Sequence, residues 1–475
     1  MRAKRLSTVL LSVALLLAFL QVGARPASAL EVNVSGQMVF QWGFRDNYSP
    51  DAADQFWRRY GEETPSDHFF ARQRARFQAE FVASENLKGV IQVQFGTIDW
   101  GDSGSGGALD TTSAEGKVRR AYIDFMLPES TVNVKMGLQE IALPSAVAGN
   151  PILDSHVASV MLSAGLSDEI TLTGFWARPY RDTGDAARHK YKNNDMDMFG
   201  LLADFNYDSV VFQPYLMYSR IGDWSGFRRT IGTERPTHDN YSDYYLAGLA
   251  LQVKPTDRLS IGFDALYNYV ENQAGVGHDP SSGEDYKYFD KSSGWFAALG
   301  VDYAFDFATL SLVAWYASGN DYDDLSKNKT ERGAILPISN NVTGFAPARL
   351  AFKGAYAIGD DSLISSSGAS TWGLGLHLKD FSFVEDLSHT ARLVYFQGTS
   401  DRKFTTVKGG LSILDMTTRD KAFEIDFDST YQIYEGLKAI VEMAYIQLDF
   451  KDRWDGLYRV PDNLWNVQFT LEYSF

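Results

Sequence analysis

The chain of 475 residues has no cysteine and, after residue 29, no long apolar run. Without cysteine it has no disulfide, no thiolate metal site and no cysteine nucleophile. The most apolar later stretch is "VASVMLSAGL" (157–166). It is far shorter than the roughly 20 apolar residues that a membrane-spanning helix needs. The sequence therefore argues against a helical membrane protein.

Positive charge is also scarce, because 44 Lys and Arg face 60 Asp and Glu, which gives a net charge of -16 at pH 7. A protein that binds nucleic acid needs a concentrated basic surface to neutralise phosphates. The acidic balance therefore argues against nucleic acid as a partner.

Motifs for catalysis or metal binding are lacking as well. The seven histidines are scattered, and none lies in a nucleophile elbow or a His-Glu-x-x-His pair. Acidic clusters such as Asp321, Asp323 and Asp324 lack the Gly and Glu spacing of a calcium loop. We therefore predict no enzyme activity, no cofactor and no metal site.

The N-terminus has the pattern of a cleavable secretory signal, "MRAKRLSTVLLSVALLLAFLQVGARPASA", with cleavage after residue 29. An uncleaved anchor helix is the alternative, but the apolar part from Val9 to Leu20 is short for one. The segment holds four basic residues and no acids, so cleavage takes the net charge from -16 to -20. The predicted mature domain is 30–475.

Hydrophobicity in this domain alternates with a period of two residues. In the final stretch "WNVQFTLEYSF" (465–475), aromatic and aliphatic side chains occupy one face, and Asn, Gln, Thr, Glu and Ser occupy the other. Segments 259–269 and 421–433 repeat this pattern. Such alternation is typical of β-strands with one apolar and one polar face.

Connections between these strands are alternately short and long. Eight short turns, such as "SENLKG" (84–89) and "YEGL" (434–437), are separated by nine longer polar connections. Seventeen connections join eighteen strands, and both termini fall on the short-turn side. This organisation predicts an all-β, transmembrane, antiparallel up-and-down barrel with short periplasmic turns and long external loops. Sixteen strands is the alternative count.

A sheet that spans the membrane must close into a barrel, because lipid offers no hydrogen-bond partner to a free sheet edge. Aromatic residues near strand ends are expected to form the interfacial girdles of such a barrel. A barrel of eighteen strands is too wide for its own side chains to fill, so we expect an aqueous channel. The candidate girdle residues are Phe40, Trp42, Phe44, Trp295, Trp315 and Tyr316.

The stretch "HFFARQRARFQAEF" (68–81) places Arg72, Arg74 and Arg76 at every second position. On a barrel strand the three guanidinium groups would share the face that lines the channel, with Gln73 as a misfit on the lipid side. The alternatives are one side of a helix that carries the nearby phenylalanines, or a solvated face of a soluble strand. The surrounding barrel pattern favours the channel.

Two further sets of charged residues fall on the predicted inner face. Arg120, Asp124 and Lys135 extend the basic wall on neighbouring strands, whereas segment 421–433 supplies an acidic set four strands away. A basic patch at a narrow opening raises the local anion concentration. We expect a transverse field and a weak preference for anions. The acidic set is Glu424, Asp426 and Asp428.

The signal peptide, the hairpin rhythm and the terminal "LEYSF" together resemble a Gram-negative outer-membrane porin. Phe475, with Tyr473 and Leu471 in phase, resembles the signal read by the barrel-assembly machinery. More narrowly, the mature chain is similar to the homotrimeric porins of sulfate-reducing bacteria. The resemblance implies export by the general secretory route, contact with outer-membrane lipid and lipopolysaccharide, a homotrimer, and passive diffusion of small hydrophilic solutes and ions.

In porins the third external loop folds into the barrel and narrows it. The corresponding segment here, 140–158, is rich in aliphatic residues and has few charges, Glu140, Asp154 and His156 among them. It lacks the acidic "PEFGG" type of sequence found in enteric porins. The resemblance makes it the candidate constriction loop.

Two other functions remain open from the sequence. A substrate-specific channel of the maltoporin type would guide a sugar along lumenal aromatic residues, and saturable block by one sugar would identify it. A secreted soluble β-sandwich would share the alternation, but extraction only by detergent would reject it.

Overall fold

The computed structural model describes thirteen stretches of the mature chain. The predicted signal peptide, 1–29, lies outside the described residues. The described ranges are 30–46, 67–110, 116–181, 195–222, 241–272, 276–278, 285–287, 291–321, 333–338, 344–352, 368–402, 416–449 and 463–475.

The described chain is built from β-strands, and none of its helices is long and apolar enough to cross a membrane. Eighteen strands belong to one sheet, and a separate hairpin, β12–β13, lies in the connection between β11 and β14. The strands are β1 (Glu31–Asp46), β2 (Asp67–Ser84), β3 (Leu87–Asp99), β4 (Gly116–Met126), β5 (Val132–Ala142), β6 (Asp154–Gly165), β7 (Ile170–Tyr180), β8 (Met196–Tyr207), β9 (Val210–Gly222), β10 (Tyr241–Thr256), β11 (Leu259–Asn272), β12 (Val276–His278), β13 (Asp285–Lys287), β14 (Lys291–Ala304), β15 (Thr309–Ala317), β16 (Thr371–Val384), β17 (Leu387–Gly398), β18 (Lys421–Tyr434), β19 (Leu437–Asp449) and β20 (Asn463–Ser474).

The sheet is a closed antiparallel barrel. Each barrel strand pairs with its neighbours along the chain, and β1 pairs with both β2 and β20, which removes every free edge. The eight short turns fall where the sequence predicts them, so the count of eighteen is confirmed over the alternative of sixteen. A single closed sheet also excludes the β-sandwich. We call the two rims the short-turn end and the long-loop end.

The alternation of the final strand gives its two faces opposite environments. The polar residues Gln468, Thr470 and Glu472 face inward and are at most 4% exposed. Val467 and Tyr473, on the other face, are 38% and 43% exposed and form part of the outer surface. An apolar outer face and a polar inner face are the arrangement that a bilayer around a hydrated interior requires.

The candidate girdle residues lie on the outer surface with one exception. Phe44 and Trp295 are about half exposed, and the rings of Trp295 and Tyr316 stack with centroids 4.7 Å apart. The prediction that Trp315 belongs to the outer girdle is wrong. Its side chain faces inward and is 4% exposed. Adjacent residues on a strand point to opposite faces, so Trp315 and Tyr316 cannot both be outward.

The C-terminal residue lies at the seam where the barrel closes. The Gly36 amide donates to the Phe475 carbonyl at 2.8 Å, and the Phe475 amide donates to the Gly36 carbonyl at 3.1 Å. The Phe475 ring lies against Gly36 so closely that a Cβ there would be 2.4 Å from the ring carbon Cζ. The position therefore needs glycine, and its contact joins the first strand to the last residue.

Gly36→Val is expected to destabilise the folded barrel, because overpacking costs about 1–3 kcal/mol. The measurement is the urea midpoint for loss of the folded band on an unheated gel. Gly89→Val is the matched control, since a Cβ at Gly89 meets nothing within 4 Å. Equal midpoints for the two variants would contradict the closure role of the Phe475 contact.

Candidate functional site

Arg72, Arg74 and Arg76 follow one another along the inward face of β2. The Arg72 Nε donates to Gln41 Oε1 at 2.9 Å, and the Arg74 Nη2 donates to Gln37 Oε1 at 3.4 Å. The next guanidinium, of Arg76, donates through Nε to Gln94 Oε1 at 2.8 Å. These acceptors are neutral amides, so they orient the guanidinium groups without cancelling their charge.

A β-bulge on β4 adds another arginine to this wall. Gln92 pairs with Arg120 and Val93 with Val118, which leaves Arg119 as the extra residue. Its Nη1 donates to Gln94 Oε1 at 3.1 Å, so Arg119 and Arg76 share one acceptor. Strict alternation puts Arg119 on the lipid side, so the sequence pattern alone does not reveal its inward position.

His156 lies between the two neighbouring arginines. Its Nδ1 is 3.3 Å from Arg119 Nη2, and its Nε2 is 3.3 Å from Arg120 Nε. A neutral imidazole has one acceptor nitrogen, so it accepts from one of the two arginines at a time. Arg120 also forms an ion pair with Glu140. This cluster therefore keeps an excess of positive charge.

The basic wall continues onto β5 with a mixture of charges. The Lys135 ammonium lies 4.4 Å from the centroid of the Tyr122 ring, and Asn133 donates to Asp124 at 2.7 Å. Asp124 and Lys135 are directly opposite in the register of β4 and β5. The predicted residues Arg120, Asp124 and Lys135 thus share one face with the β2 arginines. We call this face of β2–β5, together with Arg119, the basic wall.

The candidate constriction segment has a shorter loop than the range 140–158 predicts. Glu140 belongs to β5, and Asp154 and His156 belong to β6, so the loop itself is 143–153, here called loop 3. Loop 3 crosses the barrel to β11, where Asp264 accepts the Ser145 hydroxyl at 2.6 Å and the Val147 amide at 2.9 Å. The predicted range 140–158 therefore includes the ends of the two strands as well as the loop.

A second long connection, 318–370, is here called loop 7, and its described residues 333–338 and 344–352 lie inside the barrel. The Ala346 amide donates to the Ala148 carbonyl at 2.7 Å, and the Gly344 amide donates to the Asn150 carbonyl at 2.9 Å, so loop 7 lies directly against loop 3. Gly149 permits this approach, because a Cβ there would be 1.9 Å from the Gly344 carbonyl oxygen. Its φ of 93° also favours glycine.

Loop 7 covers the acidic residues of β18. Glu424 accepts the Leu350 amide at 2.6 Å and the Ala351 amide at 3.0 Å, and Asp426 accepts the Arg349 amide at 3.2 Å. Glu424, Asp426 and Asp428 are all at most 5% exposed. They face inward, as the alternation predicts, but they lie beneath a loop.

Arg349 is the cation that compensates this acidic set. It forms ion pairs with Asp428 and with Glu442 of β19, and Arg392 of β17 pairs with Asp428 as well. Burial lowers the pKa of Arg349, but the carboxylates of Glu442 and Asp428 more than offset this, so the pKa is raised above its ordinary value. The guanidinium therefore stays charged and fastens loop 7.

Aromatic rings complete the packing of loop 7. Phe345 and Phe352 contact Trp315 edge to face, with centroids 5.6 and 5.5 Å away. Phe352 also packs 4.9 Å from Phe396 of β17. The side of the lumen formed by β6–β20 thus carries an apolar core. The described contacts of loops 3 and 7 run to this side, away from the β2 arginines.

No group of three His, Asp or Glu side chains in the described ranges is arranged to hold a metal ion. The residues predicted to form the assembly signal lie at the barrel seam, where Leu471 pairs with Phe40 and Tyr473 with Met38 in the register of β20 and β1. The features that can act on a solute are therefore the basic wall and the two inward loops.

Comparisons with known proteins agree with this geometry at the level of fold. No family model and no curated protein matches the sequence. The structure is similar to that of OccK9 (OpdG) from Pseudomonas aeruginosa, with 15% identity, a TM-score of 0.51, and 94% and 98% of the two chains covered. It is also similar to a BenF-like porin from Pseudomonas fluorescens Pf-5, with 12% identity, a TM-score of 0.52, and 94% and 99% covered.

A third similar structure is OccK2 (OpdF) from Pseudomonas aeruginosa in complex with glucuronate. The identity is 13%, the TM-score is 0.52, and 94% and 98% of the two chains are covered. These likenesses extend over nearly the full length of both chains. The protein therefore has the fold of a porin-type, eighteen-stranded barrel.

Arg349→Ala is expected to release loop 7, because removing one partner of a buried ion pair costs about 3–5 kcal/mol. Faster cleavage in loop 7 during limited proteolysis, and a larger and noisier single-channel conductance, would report the release. Arg258→Ala is the control, since the exposed pair with Asp306 is worth about 1 kcal/mol or less. Unchanged proteolysis and conductance in Arg349→Ala would show that Arg349 does not hold the loop.

Proposed function

We propose that the protein is an outer-membrane porin through which small hydrophilic solutes and ions diffuse passively, with anions preferred. One observation carries the proposal. Arg74, Arg76, Arg119 and Arg120 are half-buried and lie on a wall that the described loop contacts leave open, and Arg72 beside them is 8% exposed. The acids of β18 and β19, in contrast, are paired beneath loop 7. The sign of the accessible fixed charge is then positive, although the whole chain is acidic.

The preference follows from the electrostatics of a narrowed pore. A basic surface beside low-dielectric walls focuses the field and concentrates anions. The described parts of loops 3 and 7 fill the opposite side of the lumen, so the space left for a permeating ion lies beside Arg74 and Arg76. The guanidinium fork also fits carboxylates and phosphates, to which it donates two parallel hydrogen bonds.

A selective channel for organic anions is the second candidate, because loops that narrow the lumen suit a channel that recognises its solute. Glucuronate, bound by OccK2 (OpdF), carries the carboxylate that a basic wall would recognise. A maltoporin-type sugar track has less support. The inward aromatics Tyr215, Tyr244, Phe296, Trp315 and Phe396 are at most 4% exposed, since they pack under the loops.

The cellular setting is part of the same proposal. Export by the secretory route, insertion by the barrel-assembly machinery through Leu471, Tyr473 and Phe475, and contact with outer-membrane lipid and lipopolysaccharide all fit a porin. The homotrimer and the narrower resemblance to porins of sulfate-reducing bacteria remain predictions from the sequence.

Changing Arg72, Arg74 and Arg76 together to Ala is expected to reduce or abolish anion preference. The measurement is the reversal potential in a planar bilayer under a KCl gradient. The matched control removes three cations from the outer surface, Arg178, Arg220 and Lys291, and should leave the reversal potential unchanged. Cation preference in the wild type and in both variants would contradict the assignment of selectivity to the basic wall.

Glucuronate is expected to block the chloride current of the wild-type channel in a saturable manner, because its carboxylate would bind at the arginines. A neutral hexose is the control and should leave the current unchanged. The triple arginine variant should lose the block. Equal effects of glucuronate and the hexose would instead indicate simple volume exclusion, without anion recognition.

A further inference from the structure

A recess of about 750 Å³ opens on the outer surface of β1–β3 at the long-loop end. Its floor is Ala71 of β2, and one wall is Trp42, which pairs with Ala71 in the register of β1 and β2. Trp100, directly after β3, forms the opposite wall, and its amide donates to the Ala71 carbonyl at 2.8 Å. Phe69 lies two residues before Ala71 on the same face and completes the aromatic lining. A small side chain among three large rings therefore leaves this space open.

The two tryptophan walls are held in place by contacts outside the recess. The Trp42 ring packs against Phe469 of β20, with centroids 4.6 Å apart. The Trp100 indole donates through Nε1 to Gln73 Oε1 at 3.0 Å. Gln73, the polar misfit on the outward face of β2, thus orients Trp100. Because both rings have partners of their own, the recess is formed before any ligand enters, as is usual for small-molecule sites.

A compact turn after β3 places the Asp102 carboxylate in the lining. The Gly107 amide donates to the Asp102 carbonyl at 2.8 Å and closes the turn. The carboxylate accepts the Gly104 amide at 3.0 Å and the Ser105 amide at 2.8 Å. These hydrogen bonds, with that of Gly104 the largest cause, hold the pKa of Asp102 below its ordinary value, so the group is ionised at neutral pH. A carboxylate has about four lone-pair sites, which leaves capacity for a ligand.

Aromatic rings beside a carboxylate form a site for an organic cation, because the face of a ring carries negative charge and attracts an ammonium group. The described lining contains no lysine or arginine. Arg45 and Arg72 contact Phe70 on the inner face of the sheet and do not fill the recess. A metal ion needs more oxygen ligands than Asp99 and Asp102 supply, and a neutral sugar needs more hydrogen-bonding side chains than this lining offers.

We propose that this recess, here called the ammonium recess, binds an organic ammonium group, with the cation over Trp42 and Trp100 and its charge facing Asp102. The group belongs either to a lipid headgroup at the membrane surface or to a free organic cation, and the ammonium chemistry is common to both. The recess lies outside the lumen. The proposal is therefore independent of the proposed anion permeation.

Calorimetric titration of the full chain in a nonionic detergent tests the chemistry, with choline chloride as the probe. Choline is expected to bind saturably. Its uncharged carbon isostere, dimethylbutanol, has the same shape and should bind about ten-fold more weakly, because it lacks the attraction between a cation and the ring faces. Equal binding of the two compounds would show an apolar pocket without cation recognition and overturn the proposal, as would the absence of saturable choline binding.

Two variants locate the binding. Asp102→Asn removes the charge but keeps the turn, since asparagine caps such turns as aspartate does, and should weaken choline binding about ten-fold. Ala71→Leu fills the floor of the recess and should abolish binding. Trp295→Leu is the matched control, because Trp295 is an exposed ring on another part of the outer surface, and it should bind choline as the wild type does. Unchanged affinity in either test variant, each shown to be folded by its unheated gel band, would overturn the proposal.

Competition with short-chain lipids separates the two sources of the ammonium group. Displacement of choline by phosphatidylethanolamine, but not by phosphatidylglycerol, would support a lipid headgroup as the occupant. Choline binding that neither lipid displaces would support a free cation. Displacement by both lipids equally would show occupation by acyl chains and overturn the proposal. The reversal potential of the same variants should match that of the wild type, so a failure of the ammonium recess and a failure of the proposed permeation are measured separately.

Discussion

The structure depends on one constraint, which is that no backbone hydrogen-bonding group can be left open to lipid. The pairing of β1 with β20, fastened by Phe475 against Gly36, satisfies it by closing the sheet. Closure by eighteen strands then creates an interior wider than strand side chains can fill. Two inward loops occupy part of that space, and the positions of their anchors determine which part of the inner wall their described residues leave uncovered.

The anchors divide the interior by charge. Asp264 binds the amides of loop 3, whereas Glu424, Asp426, Asp428 and Glu442 bind loop 7 through its backbone and Arg349. Buried acids are tolerated because hydrogen bonds and guanidinium groups compensate them. The arginines of β2 are held by neutral glutamines and retain their charge. An acidic protein thereby presents a basic inner wall, so its net charge does not describe the charge of its lumen.

The architecture was largely predictable from the sequence, because period-two alternation and turn chemistry are local signals. The site was only partly predictable. Arg119 joins the basic wall through a bulge that alternation cannot reveal, and Trp315 was assigned to the wrong face. Alternation placed Glu424 inward but carried no information about the loop above it. Arg349 was missed, although an arginine within the apolar stretch "GFAPARLAF" (344–352) is a sign of a buried partner.

The most direct test of this account is the location of anions inside the barrel. Crystals soaked in bromide would be measured at the bromine absorption edge, and anomalous difference maps would show where the ions bind. We predict peaks beside Arg72, Arg74, Arg76 and Arg119, and none at the β18 acids beneath loop 7. Bromide bound only outside the lumen, with no peak along β2 or β4, would contradict the account.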